Sequence, residues 1–223
     1  MVNIKLLFII LDAGYSKKVK SILNKFGIKI KTVTNANGTA SPSVLSYFGL
    51  EETKKEIFIN IIPDYLSSQI LNKINSEFDL VNVGTGVAFT IPISSSNKYL
   101  SENFSKSNDN GGNIKMEINQ NKKYNLVMTI VSEGHLEDVM LCAKKAGCSG
   151  GTVIKGRGLG SIKKQRILGF NIEPEKEIVL NIVSNDNKRK VMEEITKNVG
   201  IKTEGKGICL SLPIEDFFGL DLS

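Results

Sequence analysis

The chain has 223 residues, of which 41% are hydrophobic and 23% charged, with a net charge of +6. That is enough for one large domain or two small ones, each with a buried core, and the charge favours acidic partners without marking a dedicated nucleic-acid binder. The three cysteines, Cys142, Cys148 and Cys209, show no C-x-x-C spacing, which argues against a disulfide framework or a thiolate metal site and for reduced thiols in the cytoplasm.

In chain order, KLLFIIL (5–11) is a short, nearly all-apolar run and reads as a buried strand. SKKVKSILNKFG (16–27) places Val19, Ile22, Leu23 and Phe26 at helical spacing, with Ser16 as N-cap and Gly27 as stop. IKIKTVT (28–34) alternates like a half-buried strand. EIFINII (56–62) is a further strand, YLSSQILNKI (65–74) an amphipathic helix and VAFTIPI (87–93) the last strand of this half. A polar stretch rich in Ser, Asn, Lys and Gly (94–123) reads as a solvated linker. The order then recurs: a strand at 124–132, a helix at 135–147, a strand at 151–156, a strand at 177–183, a helix at 186–200 and a strand at 207–214. The run at 6–11 is too short for a signal peptide. No segment approaches the roughly 20 apolar residues of a membrane span.

The recurrence is also visible residue by residue. Gly14, Gly27, Gly38 and Gly49 are each followed 120 residues later by Gly134, Gly147, Gly158 and Gly169. After one inserted residue, Glu56 matches Glu177, Asn60 matches Asn181, Gly84 and Gly86 match Gly205 and Gly207, and Pro92 matches Pro213. The chain therefore reads as α+β, with two tandem ferredoxin-like βαββαβ domains at 1–93 and 124–223 and antiparallel sheets joined by the linker 94–123. Leu6, Phe8 and Ile10 alternate with Leu7, Ile9 and Leu11, so both faces of the first strand are apolar. One face takes the helices, and the other must be covered by the other half or by another chain.

Residues 150–166, GGTVIKGRGLGSIKKQR, carry the clearest chemical signal. Glycines let a backbone approach an anion and turn successive N–H groups toward it. Lys155, Arg157, Lys163, Lys164 and Arg166 add charge-assisted donors, with no acid between them. Neither a Walker motif nor a G-x-G-x-x-G fingerprint is present. The equivalent first-half loop, NANGTASPSVLSYFGLEE, has no Lys or Arg, so an anion site is expected in the second half and a chiefly architectural role for the first. His135 reads as a surface residue at a helix start. Glu193 and Glu194 read as solvated partners of the cations around them. No nucleophile–base constellation is visible, which argues for a non-enzyme.

The second half resembles the PII signal-transduction family, the nitrogen regulatory P-II proteins. The resemblance rests on HLEDVMLCAKKAG, GTVIKGRGLG, SND before the second helix and EGKGICLSLPIED, and covers nearly all of 124–214; the first half resembles a diverged copy. It implies a cytoplasmic regulator of nitrogen or related metabolism that forms a homo-oligomer, a trimer above all. It also implies a small anionic effector, ATP or ADP, often with 2-oxoglutarate and magnesium, and no covalently bound cofactor. Through a T-loop, such a protein docks on a transporter, an enzyme or a transcription factor. By the same resemblance Thr152 sits near the adenine, Gly158 and Gly160 start the T-loop, and Gly205, Lys206 and Gly207 form the phosphate-facing turn. The chain departs from the family at Ile208, where a phosphate-binding lysine is usual, at Ile162, where a glutamine is usual, and in its ending FFGLDLS, which lacks the usual arginines. The alternatives are an assembly protein of this family that binds no nucleotide, and an RNA-binding domain of the same strand order. The latter is disfavoured because the central strands offer only Tyr124 for stacking.

Overall fold

Nine residues of nearly unbroken apolar character open the fold: β1, Ile4–Asp12. A computed structural model describes residues 3–28, 31–39, 53–82, 84–95, 123–157, 165–167, 170–172 and 175–220, with only the backbone at 165–172. The first half continues through α1 (Ser16–Lys25), β2 (Lys31–Gly38), β3 (Thr53–Pro63), a 3-10 turn (Asp64–Leu66), α2 (Ser67–Phe78) and β4 (Gly86–Pro92). The second half comprises β5 (Tyr124–Ser132), α3 (Leu136–Lys145), β6 (Thr152–Arg157), the short hairpin β7 (Gln165–Ile167) and β8 (Phe170–Ile172), β9 (Glu175–Ser184), α4 (Asn185–Val199), β10 (Ile208–Pro213) and β11 (Phe217–Phe218). The βαββαβ order expected from the sequence is present twice.

Local chemistry explains most of the boundaries. Gly27 and Gly147, one repeat apart, close α1 and α3 with φ of +71° and +97°, a backbone region that glycine enters at no steric cost. After Gly27, Ile28 turns inward: its N–H donates to the Leu23 carbonyl at 3.0 Å and its side chain is buried. That turn delays β2, predicted at 28–34, to Lys31. The expected Ser16 cap is also replaced. Ser16 is the first helical residue, and the Glu56 carboxylate on β3 accepts from the Tyr15 N–H at 3.1 Å and the Ser16 hydroxyl at 2.8 Å. Its repeat partner Glu177, buried on β9, accepts from the Leu136 N–H at the start of α3 at 3.0 Å. A carboxylate from the sheet thus accepts one backbone N–H at the start of the first helix in each half. Glu177→Ala is expected to lower stability by about 1–2 kcal/mol, read as a lower urea midpoint with an unchanged slope. In α4 the cap is local: Ser184 accepts from the Asn187 N–H at 3.3 Å.

All strand pairs are antiparallel, and apart from the β7–β8 hairpin the described strands form one sheet, in the order β10-β5-β9-β6-β2-β3-β1-β4-β11. Up to β11 the order reads the same from either end, because β6 and β2 occupy equivalent places in the two halves. These strands meet through Asn37↔Val153 and Gly38↔Thr152. Thr39 continues the seam: its N–H donates to the Gly151 carbonyl at 2.9 Å, and its hydroxyl accepts from the Gly151 N–H at 2.9 Å. At the far end the chain returns: β11 pairs with β4, Phe217 opposite Phe89.

Three cores result. Leu7, Ile9 and Leu11 pack with Val19, Ile22, Ile70 and Ile74 beneath α1 and α2. Val127, Val131 and Val179 pack with Val139, Val191 and Ile195 beneath α3 and α4. The third lies between the halves and joins Phe8, Ile10, Ile57 and Phe89 to Tyr124, Leu126, Leu180 and Ile214. Phe8 stacks on Phe89 with ring centroids 5.2 Å apart, and Phe217 meets Tyr124 edge-on at 4.9 Å. The apolar second face of β1 is therefore covered by the other half of the same chain. Tyr124, the one stacking aromatic the central strands offered, is buried here, 3% exposed, and the face on which an RNA-recognition sheet would stack bases is interior.

An ion cluster fixes the returning tail. Lys5 Nζ lies 2.7 Å from Asp64, 3.1 Å from Glu215 and 2.9 Å from Asp216. Asp216 also accepts from the hydroxyls of Ser67 and Thr90, both at 3.2 Å. Burial works against the Lys5 charge, but hydrogen bonds to Asp64, Asp216 and Glu215 outweigh it and lift its pKa above the usual lysine value. Burial likewise works against the Asp216 charge, and the Lys5 ammonium overrides it, holding this carboxyl below its ordinary value.

Candidate functional site

The residues expected to hold an anion come from two ends of the second half. β6 is the strand that enters the glycine-rich stretch, and alternation places Lys155 and Arg157 on its helix-covered side, with Thr152 and Ile154 facing the interior. Lys155 and Arg157 are exposed, and neither makes an ion pair among the described residues. Their register neighbours on β9 are Glu177 and Glu175; Glu177 is occupied by the α3 N-terminus. Thr152 sits on the seam, opposite Gly38 of the first half on one side and Leu180 on the other. Gly158, Gly160, Lys163 and Lys164 lie outside the described residues. Arg166 falls in β7, where only the backbone is described.

Gly205, Lys206 and Gly207 form the turn between α4 and β10. The Gly205 carbonyl accepts from the Ser132 N–H at 2.9 Å, the Lys206 N–H donates to Thr203 at 3.2 Å, and the Gly207 N–H donates to Val199 at 2.8 Å. A Cβ at Gly207 would come within 2.3 Å of the Val199 carbonyl oxygen, and one at Gly205 within 2.5 Å of the Val199 side chain. Close packing against the end of α4 thus accounts for both glycines, and two of the turn's N–H groups are already used. Lys206 remains exposed at φ +47°. Ile208, at the usual lysine position, is 54% exposed.

Register relates the two ends. Ile208, Ile130, Ile178 and Ile154 lie in one row across β10, β5, β9 and β6. The turn and the Lys155–Arg157 tip therefore share one rim of the sheet, about 14 Å apart at three strand spacings. Beside the turn, α3 and α4 leave a crevice of about 390 Å³ reached by His135, Asp138, Lys145, Asn198 and Glu204. Its charges are mixed, so the crevice next to Gly205 is not uniformly positive. His135 Nδ1 is 3.0 Å from Asp138, as a helix-start surface residue would be. Arg189 pairs with Glu193 at 3.2 Å on the solvated face of α4. Burial raises the thiol pKa of Cys142, Cys148 and Cys209, away from the thiolate form that a reactive cysteine uses. Among the described residues no three His, Cys, Asp or Glu side chains gather as a metal would require. No helix among them is long and apolar enough to cross a membrane.

Sequence reasoning missed two features. The Lys5 cluster joins residues over 200 positions apart. The buried amide of Asn60 was visible only as a repeat match to Asn181.

Comparison with known proteins bears on the second half. The sequence model of the family described as Nitrogen regulatory protein P-II matches residues 124–220. A search of curated proteins finds no match. Among solved structures, the chain is similar to the apo form of CPII from Thiomonas intermedia, a nitrogen regulatory PII-like protein, at 22% identity and TM-score 0.31, over 41% of this chain and 89% of that one. It is also similar to Arabidopsis thaliana PII bound to citrate, at 23% identity and TM-score 0.32, over 43% of this chain and 78% of that one. The likeness to the nitrogen regulatory protein P-II family thus lies in the second half of the chain, residues 124–220.

Proposed function

We propose that the chain is a P-II-like regulator of nitrogen or related metabolism. In this reading its second half binds a small anionic effector, an adenine nucleotide such as ATP or ADP, and passes that signal to a partner protein through the loop after β6. The observation that carries the reading is the exposed Lys155–Arg157 tip, without an ion pair among the described residues, leading into a stretch with Lys163, Lys164 and Arg166 in a family-matched half. Exposed cations such as Lys155 and Arg157, without an ion pair among the described residues and beside glycines, suit phosphate, because a charge-assisted contact forms without first breaking such a pair. Thr152, Gly158, Gly160, Gly205, Lys206 and Gly207 would complete the site. An effector that binds one loop conformation better than another shifts the population toward the form that docks. The setting is cytoplasmic, and the partner is a transporter, an enzyme or a transcription factor. No catalytic step is assigned.

A second reading, an assembly protein that binds no nucleotide, is favoured by one observation: the Lys206 and Gly207 N–H groups are used within their own turn, beside an isoleucine at position 208. Titration calorimetry with ATP and with ADP separates the two. The first reading expects saturable binding that weakens at least tenfold, about 1.4 kcal/mol, in the triple variant Arg157→Ala, Lys163→Ala, Lys164→Ala, with the melting temperature unchanged. No heat from either nucleotide in the unmodified protein would sustain the second. Light scattering of the same samples tests the trimer. Such a trimer would need surfaces other than the inner sheet faces, which the two halves already cover in each other.

A further inference from the structure

In the second half Asn181 is fully buried on β9. Its Nδ2 donates to the Gly150 carbonyl at 3.0 Å and lies 3.6 Å from Met140 Sδ. The space around it is full: a Cβ at Gly151 would fall 2.6 Å from that nitrogen and 3.1 Å from the Met140 sulfur. The first half builds the same place differently. By the repeat spacing, Lys20 stands for Met140 and Lys31 for Gly151. Lys20 is exposed rather than packed inward. A cleft of about 210 Å³ opens there between α1 and the β2–β3 pair, walled by Val19, Leu23 and Phe58, with Lys20 and Lys31 also lining it and Asn60 beneath. Asn60 is 1% exposed, and among the described residues neither its Nδ2 nor its Oδ1 has a hydrogen-bond partner. A buried amide left wholly unpaired is costly, and such groups are retained where something else pairs with them.

We propose that this cleft is a second, small-ligand site, in the first half and independent of the nucleotide reading. Its ligand is a small carboxylate with a short apolar body and an amide edge. The amide's adjacent donor and acceptor answer the Asn60 Oδ1 and Nδ2, the apolar body lies against Leu23 and Phe58, and the carboxylate meets Lys20 and Lys31. Among the described residues no acid lines the cleft and two lysines do, which sets the sign of the proposed ligand's charge. The architecture matches ordinary small-molecule sites, apolar walls with a few convergent polar groups.

N-acetyl-leucine carries all three features and serves as the probe. In the full chain, its addition at millimolar concentration is expected to shift the Asn60 side-chain amide resonances, identified by their loss in Asn60→Leu. Lys20→Met copies the packing of the second half and is expected to weaken that binding at least tenfold while the fold persists. Independently of any probe, Asn60→Leu is expected to raise the melting temperature by about 2–4 °C, because an unpaired buried amide gives way to an apolar side chain of similar size. Two results would each overturn the proposal: no response of the Asn60 amide to the probe, or a melting temperature lowered by Asn60→Leu, which would show that the amide is bonded within the fold.

Discussion

Deletion of residues 214–223 is expected to open the protein between its halves and abolish a single cooperative thermal transition. The segment looks like an appendage to the last strand, yet Ile214 is 1% exposed and Leu220 9% exposed within the shared core. Phe217 packs edge-on to Tyr124, and Phe218 lies against the first-half core. The backbone is equally engaged: the Glu215 N–H donates to Thr90 at 3.0 Å and the Thr90 N–H donates to Asp216 at 2.9 Å. A fully buried large side chain contributes about 1.5–3 kcal/mol; Ile214 and Leu220 are buried and Phe217 and Phe218 half-buried, so together they supply a large part of the roughly 5–15 kcal/mol that stabilises a typical domain. Dye binding to the uncovered apolar faces, with a broad or early melting curve, is the expected outcome. A truncated chain that melts like the intact one and binds no dye would show that the seam at β2 and β6 suffices.

Lys5→Met is expected to cost about 2 kcal/mol at neutral pH, less than a fully buried pair would because the carboxylates are partly solvated. The substitution leaves Asp64, Glu215 and Asp216 around one uncharged position. Its pH dependence is the sharper test. In the unmodified protein the Asp216 carboxyl is held below its unfolded value. Its stabilisation is therefore complete above about pH 4 and lost as pH falls through the lower folded value. Lys5, lifted above the usual lysine value, contributes in full below that value and is lost only as pH rises beyond the folded one. Without Lys5 the crowded carboxylates favour protonation, so the variant's deficit in urea midpoint is expected to shrink between pH 7 and pH 4. An equal deficit at both pH values would assign the loss to packing alone.

The doubled βαββαβ order was legible because it is written locally, in the apolar runs of β1 and β5, the helical spacing of Val19, Ile22 and Leu23, and the turn glycines 120 residues apart. The need to cover the second face of β1 was legible too. What covers it was not, because an edge strand such as β2 carries no local mark of the edge it will meet. The tail was opaque for the same reason: its aromatic pair makes sense only against Phe89 and Tyr124. At the candidate site, the sequence located the cations of β6 and the glycine turn. It could not measure the strands between them, nor show that Gly205 and Gly207 pack closely against the end of α4. The contrast between Lys20 and Met140 was present in the aligned halves, but it acquired meaning only beside an Asn60 with no hydrogen-bond partner among the described residues.

The mirror-like strand order has a consequence for how this protein can vary. Two identical subunits joined through equivalent edges must accept every substitution twice, once on each side of their axis. Here each side of the joint is encoded separately. Phe8 can stack on Phe89 in one lobe while Tyr124 takes the edge of Phe217 in the other, and one lobe can lose a cation or open a cleft without imposing the same change on its twin.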